Sequence, residues 1–322
     1  MWRHGAAHSV VGMRLHHLLA ATGLTAVAAL APAAPAFATF PGHNGGLVFG
    51  APTDQGVQLS TVRPNGRDLR QITSVAGDAI HPDWSPDGRT IVFELDTEAG
   101  ANVAFICADG GPIRVVPAPA GTFEGQPSYM PDGRHVLFTQ FNGSEEATWI
   151  MRLDGSDRRR ITAGPGDATD PNAAPSGRAL SYVGVHDHNW EVEQALFTSR
   201  LDGTRQRQLT PFDSEVAIKQ DWAPDGGRLV FTDNADHVRP DQSANLGTIR
   251  YDGGGARFLT HYTDPEVNAY AGSYSPSGRR IAFRYEDHGQ YALMTTRTDG
   301  THMRTILPLS AFRPRYIDWG PR

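Results

Sequence analysis

The sequence predicts an all-β fold, a six-bladed β-propeller of four-stranded blades whose first and last strands share one blade. Three observations carry this. The phrase His81-Pro82-Asp83-Trp84-Ser85-Pro86-Asp87-Gly88-Arg89-Thr90-Ile91-Val92-Phe93 reads as strand, turn, strand, and returns at Tyr129–Phe138 with variants at 173–178, 222–226 and 274–279. Its proline recurs at positions 86, 131, 175, 224, 276 and 321, in steps of 45, 44, 49, 52 and 45 residues. Repeats of this length in an all-β pattern form radial arrays. Finally, the tryptophan-bearing strand missing from the first repeat is found at the end of the chain, in Tyr316-Ile317-Asp318-Trp319.

Taken in order, the chain opens with Arg3 and Arg14 before an apolar run from Leu18 to Ala36, closing on Ala36-Phe37-Ala38. A basic start, an apolar centre and a small-x-small end form a cleavable export signal. Residues 1–38 are therefore expected to be a signal peptide cut after Ala38, giving a secreted or extracytoplasmic protein. Pro32 and Pro35 argue against a spanning helix, and no later stretch is apolar enough to cross a bilayer. Residues 39–45 form a short linker, and 46–322 the propeller.

Gly46–Phe49, Val57–Val62 and, after the Asn65-Gly66 turn, Leu69–Thr73 supply three strands of the first blade. Pairing them with Arg315–Trp319 closes the ring and leaves no open seam. In the later blades Asp87-Gly88 and its counterparts suit a tight hairpin with positive φ at both central residues. Asn65-Gly66, Asp109-Gly110, Asp154-Gly155, Asp202-Gly203, Asp252-Gly253 and Asp299-Gly300 mark the turns into six outer strands. Segments 186–193 and 234–242 are insertions between second and third strands, expected as loops suited to binding.

These residues resemble the TolB-like propeller repeat, a WD40-like unit of proline, x, tryptophan, Ser-Pro-Asp-Gly, apolar-x-phenylalanine, Asp-Gly and a closing Leu-Thr. The resemblance runs from about residue 46 to 322. It implies the propeller fold and says little of function. The full-length family form carries an α/β domain before its propeller; here the signal segment leads almost directly into the first blade.

Composition narrows the function classes. A net charge of −6 provides no basic field for nucleic acid. Lys219 is the only lysine, an arginine bias of the kind a G+C-rich genome produces. Cys107, the single cysteine, alternates with Val103 and Phe105 and is expected to be a buried, inert thiol. No Gly-x-Ser-x-Gly elbow, glycine-rich phosphate loop or Cys-x-x-Cys motif is present.

Two positions of the inner strands stand out. The residue before each tryptophan position is Asp83, Ser128, Asn172, Asp221, Ser273 or Asp318, short polar groups suited to capping backbone. Three before it lie His81, Gln126, Asp170, Lys219, Ala271 and Tyr316, which differ from blade to blade as contacts to one ligand do. His81, Gln126, Asp170, Lys219 and Tyr316, with Glu124, Glu215 and Glu266 nearby, are the expected ligand-binding residues at the channel mouth.

No resident cofactor is expected, although the glutamates suit a divalent cation through oxygen ligands. The leading reading is an exported, monomeric, non-catalytic recognition module for a protein or cell-envelope component. The rival is a carbohydrate lyase or lactonase in which channel histidines or carboxylates hold a divalent ion, as in propeller lyases of related repeat type. His186-Asp187-His188 sets two imidazoles on one side of a strand but lacks a third ligand at a recognisable spacing.

Overall fold

The computed structural model describes residues 41–162, 167–188, 191–216, 219–234 and 239–322. The segment read as an export signal lies outside them. Six four-stranded antiparallel sheets follow one another along the chain. The shared blade contains β1 (Asn44–Thr53), β2 (Gly56–Val62), β3 (Arg70–Gln71) and the final strand β24 (Arg315–Pro321). The second contains β4 (Asp78–Trp84), β5 (Thr90–Thr97), β6 (Gly100–Cys107) and β7 (Arg114–Val116). The third holds β8 (Phe123–Tyr129), β9 (His135–Phe141), β10 (Glu146–Arg152) and β11 (Arg159–Arg160). The fourth holds β12 (Asp167–Ala173), β13 (Ala179–His188), β14 (Glu191–Arg200) and β15 (Arg207–Gln208). The fifth runs through β16 (Asp221–Trp222), β17 (Arg228–Asp233), β18 (Asn245–Arg250) and β19 (Arg257–Phe258). The sixth runs through β20 (Val267–Tyr274), β21 (Arg280–Asp287), β22 (Gln290–Arg297) and β23 (Arg304–Ser310).

The expected closure is present: β24 pairs antiparallel with β1, with Trp319 opposite Leu47 and Asp318 opposite Val48. The inner strands are β24, β4, β8, β12, β16 and β20, each at one end of its sheet.

The apolar runs on the second strands follow from this architecture. A blade is covered on both faces, so consecutive residues of one strand are buried against different neighbours. Phe93 packs with Val48 and Leu59 of the shared blade, while Val92 packs with Tyr129 and Phe138 of the third. Six such clusters, one per blade interface, replace a single central core. Phe49, Phe93, Phe138 and Phe283 are wholly buried, each burial contributing about 2–3 kcal/mol.

The closing threonines of the repeat explain why outer strands are only two or three residues long in most blades. The hydroxyls of Thr73, Thr162, Thr210 and Thr260 accept the backbone N–H of Leu59, Thr148, Leu196 and Leu246 at 2.8–3.0 Å. A side chain thus takes a ladder position and ends the strand.

Three expectations need correction. In the Ser85–Gly88 turn only Gly88 has positive φ (67°), and its N–H donates to the Ser85 carbonyl at 2.9 Å. Pro86 fixes a negative φ at the first central position, which selects a type I turn closed by a left-handed glycine. Cys107 is exposed. It ends β6, just past Phe105, which packs with residues of the third blade, and Ile106, which packs with residues of the shared blade. The insertion at 186–193 largely extends a hairpin instead of forming a loop: β13 and β14 have ten residues each, and His186 pairs with Glu193.

Candidate functional site

The inner strands are irregular where the variable residues lie. Ladder register shifts between Ile80 and Asp83, Gly125 and Ser128, Thr169 and Asn172, and Tyr270 and Ser273. At these bulges His81, Gln126 and Asp170 take φ of 50°, 49° and 48°; Lys219 (77°) and Tyr316 (54°) match them. Pro82, Pro127 and Pro171 follow three of the five, and because the bulge leaves these positions out of the ladder their missing N–H costs no ladder bond. A left-handed residue before proline is sterically unfavourable, and each costs on the order of 1–3 kcal/mol unless its surroundings hold it. Strict side-chain alternation therefore does not cross this step.

The surroundings form two tiers of hydrogen bonds between blades. In the lower tier the residue before the tryptophan position accepts an N–H of the next blade at four of the six places, while Asn172 donates its side-chain amide to the Gln220 carbonyl of the next blade at 3.2 Å. The carboxylate of Asp318 accepts the Trp84 N–H (2.8 Å), Asp83 that of Tyr129 (2.9 Å), and Asp221 that of Tyr274 (2.7 Å), while the Ser273 hydroxyl accepts that of Trp319 (3.0 Å). These groups act as the structural caps the sequence suggested.

The upper tier uses the variable residues. Glu94 Oε2 accepts the Gln126 N–H (2.9 Å), Gln126 Oε1 that of Asp170 (2.9 Å), and Asp170 Oδ2 that of Lys219 (2.6 Å). His81 Nδ1 lies 2.8 Å from the same Glu94 oxygen, and its ring meets Tyr316 at 4.0 Å between centroids. Among the described residues the buried His81 Nε2 has no hydrogen-bond partner.

Lys219 closes the channel. From the fifth blade it crosses to the second, where Nζ donates to the Pro82 carbonyl at 2.9 Å and sits 4.0 Å from Asp83 Oδ2. It is 5% exposed. Burial works to lower its pKa, but Asp318, Asp83, Asp170 and Asp221 together hold it above the ordinary lysine value. One ammonium thus faces four carboxylates. Asp83 responds: burial, then Asp318, push its pKa well above the carboxylate range against the pull of Lys219. Glu94 goes the other way, because His81 and the Gln126 N–H outweigh its burial and lower its pKa.

Thus His81, Gln126, Asp170, Lys219 and Tyr316 come together around the channel. Glu124 and Glu266 do not join them. Glu124 is fully buried and paired with Arg158 (3.1 Å) and Gln140 (3.0 Å). Glu215 is buried at the end of the short 3₁₀ turn Phe212–Ser214. Glu266 is exposed, its carboxylate 3.6 Å from His288 Nε2. Among the described residues no group of three His, Cys, Asp or Glu side chains is arranged to hold a metal.

Two residues with a place at this site, Glu94 and Arg284, escaped sequence reasoning. Both follow the aromatic residue of a second strand, where the other blades carry Gly50, Thr139, Val183 and Thr232. Variation at that position was the available signal.

The TolB beta propeller domain family matches residues 114–322. The chain belongs to that family. An uncharacterized protein of Agrobacterium fabrum is 26% identical over 46% of the chain and 52% of its own length. A Tol-Pal system protein TolB of Nitratidesulfovibrio vulgaris is 27% identical over 38% of the chain and 27% of its own length. The chain therefore matches about half, or less, of these curated relatives. The crystal structure of TolB from Acinetobacter baumannii superposes with a TM-score of 0.70 at 19% identity, covering 88% of this chain and 68% of that one. At that identity the TolB-domain likeness concerns the fold.

Proposed function

We propose that this TolB-domain propeller is an exported, non-catalytic recognition module that binds a protein or cell-envelope component at the channel mouth. The observation that carries this reading is the plugged channel. Lys219 and its carboxylates form a floor, so a ligand meets the partly exposed Tyr316, whose ring packs on the buried His81. Relatives named as Tol-Pal system proteins support a protein partner in the envelope, and the Ala36-Phe37-Ala38 junction supports export. Among the described residues no helix is long and apolar enough to cross a membrane.

The test replaces Tyr316 with a photo-crosslinking phenylalanine analogue in cells, with Tyr251, exposed in a turn at the other end of its blade, as the control position. A discrete adduct from position 316 and none from 251 is the expected result; equal or absent labelling overturns the mouth assignment. N-terminal sequencing of the exported chain should begin at Thr39.

A further inference from the structure

We propose that the sector of the mouth between the sixth and shared blades is a carboxylate-binding subsite for an acidic peptide segment, with Arg284, Arg313 and Arg315 as its cations. This rests on the recognition reading above and adds the chemistry of the ligand.

Arg284 extends from β21 with its guanidinium 4.2 Å above the Tyr270 ring, and its side chain is 9% exposed. Its Nε has no hydrogen-bond partner among the described residues, and neither does the Nε of Arg313. Among the described residues the carboxylate paired with Arg284 is that of Glu286, whose Oε2 is 3.8 Å from Arg284 Nη2, too far for a hydrogen bond, and is itself buried without a hydrogen-bond partner. Arg313 lies 5.0 Å above Tyr291 and Arg315 lies 5.2 Å above Tyr316. Arg284 thus has one carboxylate at a distance and two further guanidinium groups, of Arg313 and Arg315, as neighbouring charges. Burial, then the neighbouring Arg313, brings Arg284 down to about 10.

A buried cation with unused donors is unfavourable, and an incoming anion relieves it. The guanidinium fork matches a planar carboxylate bidentately. Aromatic walls beside arginines are the composition of peptide-binding centres. The floor selects too. Asp170, Asp221 and Asp318 around Lys219 leave it acidic, so an anionic side chain is held at this sector and repelled from the depth of the channel. Tyr316, its ring tilted at 55° against that of His81 with centroids 4.0 Å apart, joins the subsite to the rest of the mouth.

The experiment uses the whole propeller and a fluorescein-labelled peptide of alternating glutamate and glycine, with its glutamine counterpart. Anisotropy should show the glutamate peptide binding at least about tenfold more tightly. Arg284→Met and Arg315→Gln should each remove that preference, while Arg279→Gln at the opposite end of the blade leaves it intact. Without peptide, Arg284→Met should melt no lower than the wild type, because it removes an unsatisfied buried charge; Arg284→Met with Glu286→Gln controls for the carboxylate left behind.

Equal binding of both peptides overturns the proposal, as does a lowered melting temperature in both Arg284 variants. Displacement by inorganic phosphate at equal concentration, or binding of phosphatidylglycerol vesicles through the same arginines without peptide binding, also overturns it in favour of another anion. If the Tyr316 adduct forms undiminished in both arginine variants, this inference fails and the recognition reading stands. If no adduct forms at all, the recognition reading fails.

Discussion

Two tiers of side chains line the channel two residues apart in sequence, and they obey different rules. The lower tier repeats: Asp83, Asp221, Ser273 and Asp318 each cap the next blade's backbone in the same way. The upper tier changes from blade to blade. From the second blade to the fifth it passes hydrogen bonds along through Glu94, Gln126 and Asp170. Where the sixth blade meets the shared one, the Nε groups of Arg284 and Arg313 have no hydrogen-bond partner among the described residues. The recurrence of the same cap at four interfaces marks what holding one blade to the next needs. The break in it marks the sector with chemistry to spare, and a repeat protein makes that break visible because five other blades serve as controls.

Removing residues 315–322 should have the largest effect. It deletes β24, the Trp319 anchor and the Asp318 cap together, exposing the edge of β1. Loss of a cooperative thermal transition by circular dichroism is expected; a ring that still melts sharply would mean the seam is dispensable.

Lys219→Met tests whether the floor needs its cation. Breaking a buried charge cluster costs about 3–5 kcal/mol, measured by denaturant unfolding. The pH dependence has a definite sign. Asp83 has a raised folded pKa, so its protonated form stabilises the fold below the ordinary carboxylate range, and that contribution is lost as pH rises through the raised value. Without Lys219 to oppose it, this loss extends further upward in pH. A variant equally stable at pH 5 and pH 8 would contradict the charge balance described.

Phe93→Ala probes the interface between the shared and second blades, where Phe93 is wholly buried. A loss of about 3–5 kcal/mol is expected, scaling with the cavity left behind. Because the clusters are equivalent, Phe283→Ala should cost a similar amount. A twofold disparity would show that one seam dominates.

Glu94→Gln is the mildest change, with a cost of about 1 kcal/mol at neutral pH. Glu94 has a lowered folded pKa, so its contribution is present above the ordinary glutamate value and disappears as pH falls through the folded one. The variant and the wild type should therefore converge in stability in acid, and divergence there would refute the His81–Glu94 pairing.

The repeat phrase alone determined the blade number, the strand count per blade and the closure through Trp319, because turn chemistry and apolar spacing are local and recur in phase. The capping task of Asp83 and its counterparts was legible for the same reason. The mouth was only partly legible. Sequence brought out His81, Gln126, Asp170, Lys219 and Tyr316 as a set, yet grouped them with Glu124, which packs against Arg158. It missed Arg284, since nothing local says that a residue of one blade's second strand lies near Arg315 at the start of another blade's inner strand. The exposure of Cys107 was hidden likewise, because alternation gives a residue's face but not how far the neighbouring blade extends. The span of Lys219 to Pro82, 137 residues away, was settled by ring closure, which sets the second and fifth blades opposite each other. Chain spacing fixes which residues share a blade; only the closed ring decides which side chains meet across it.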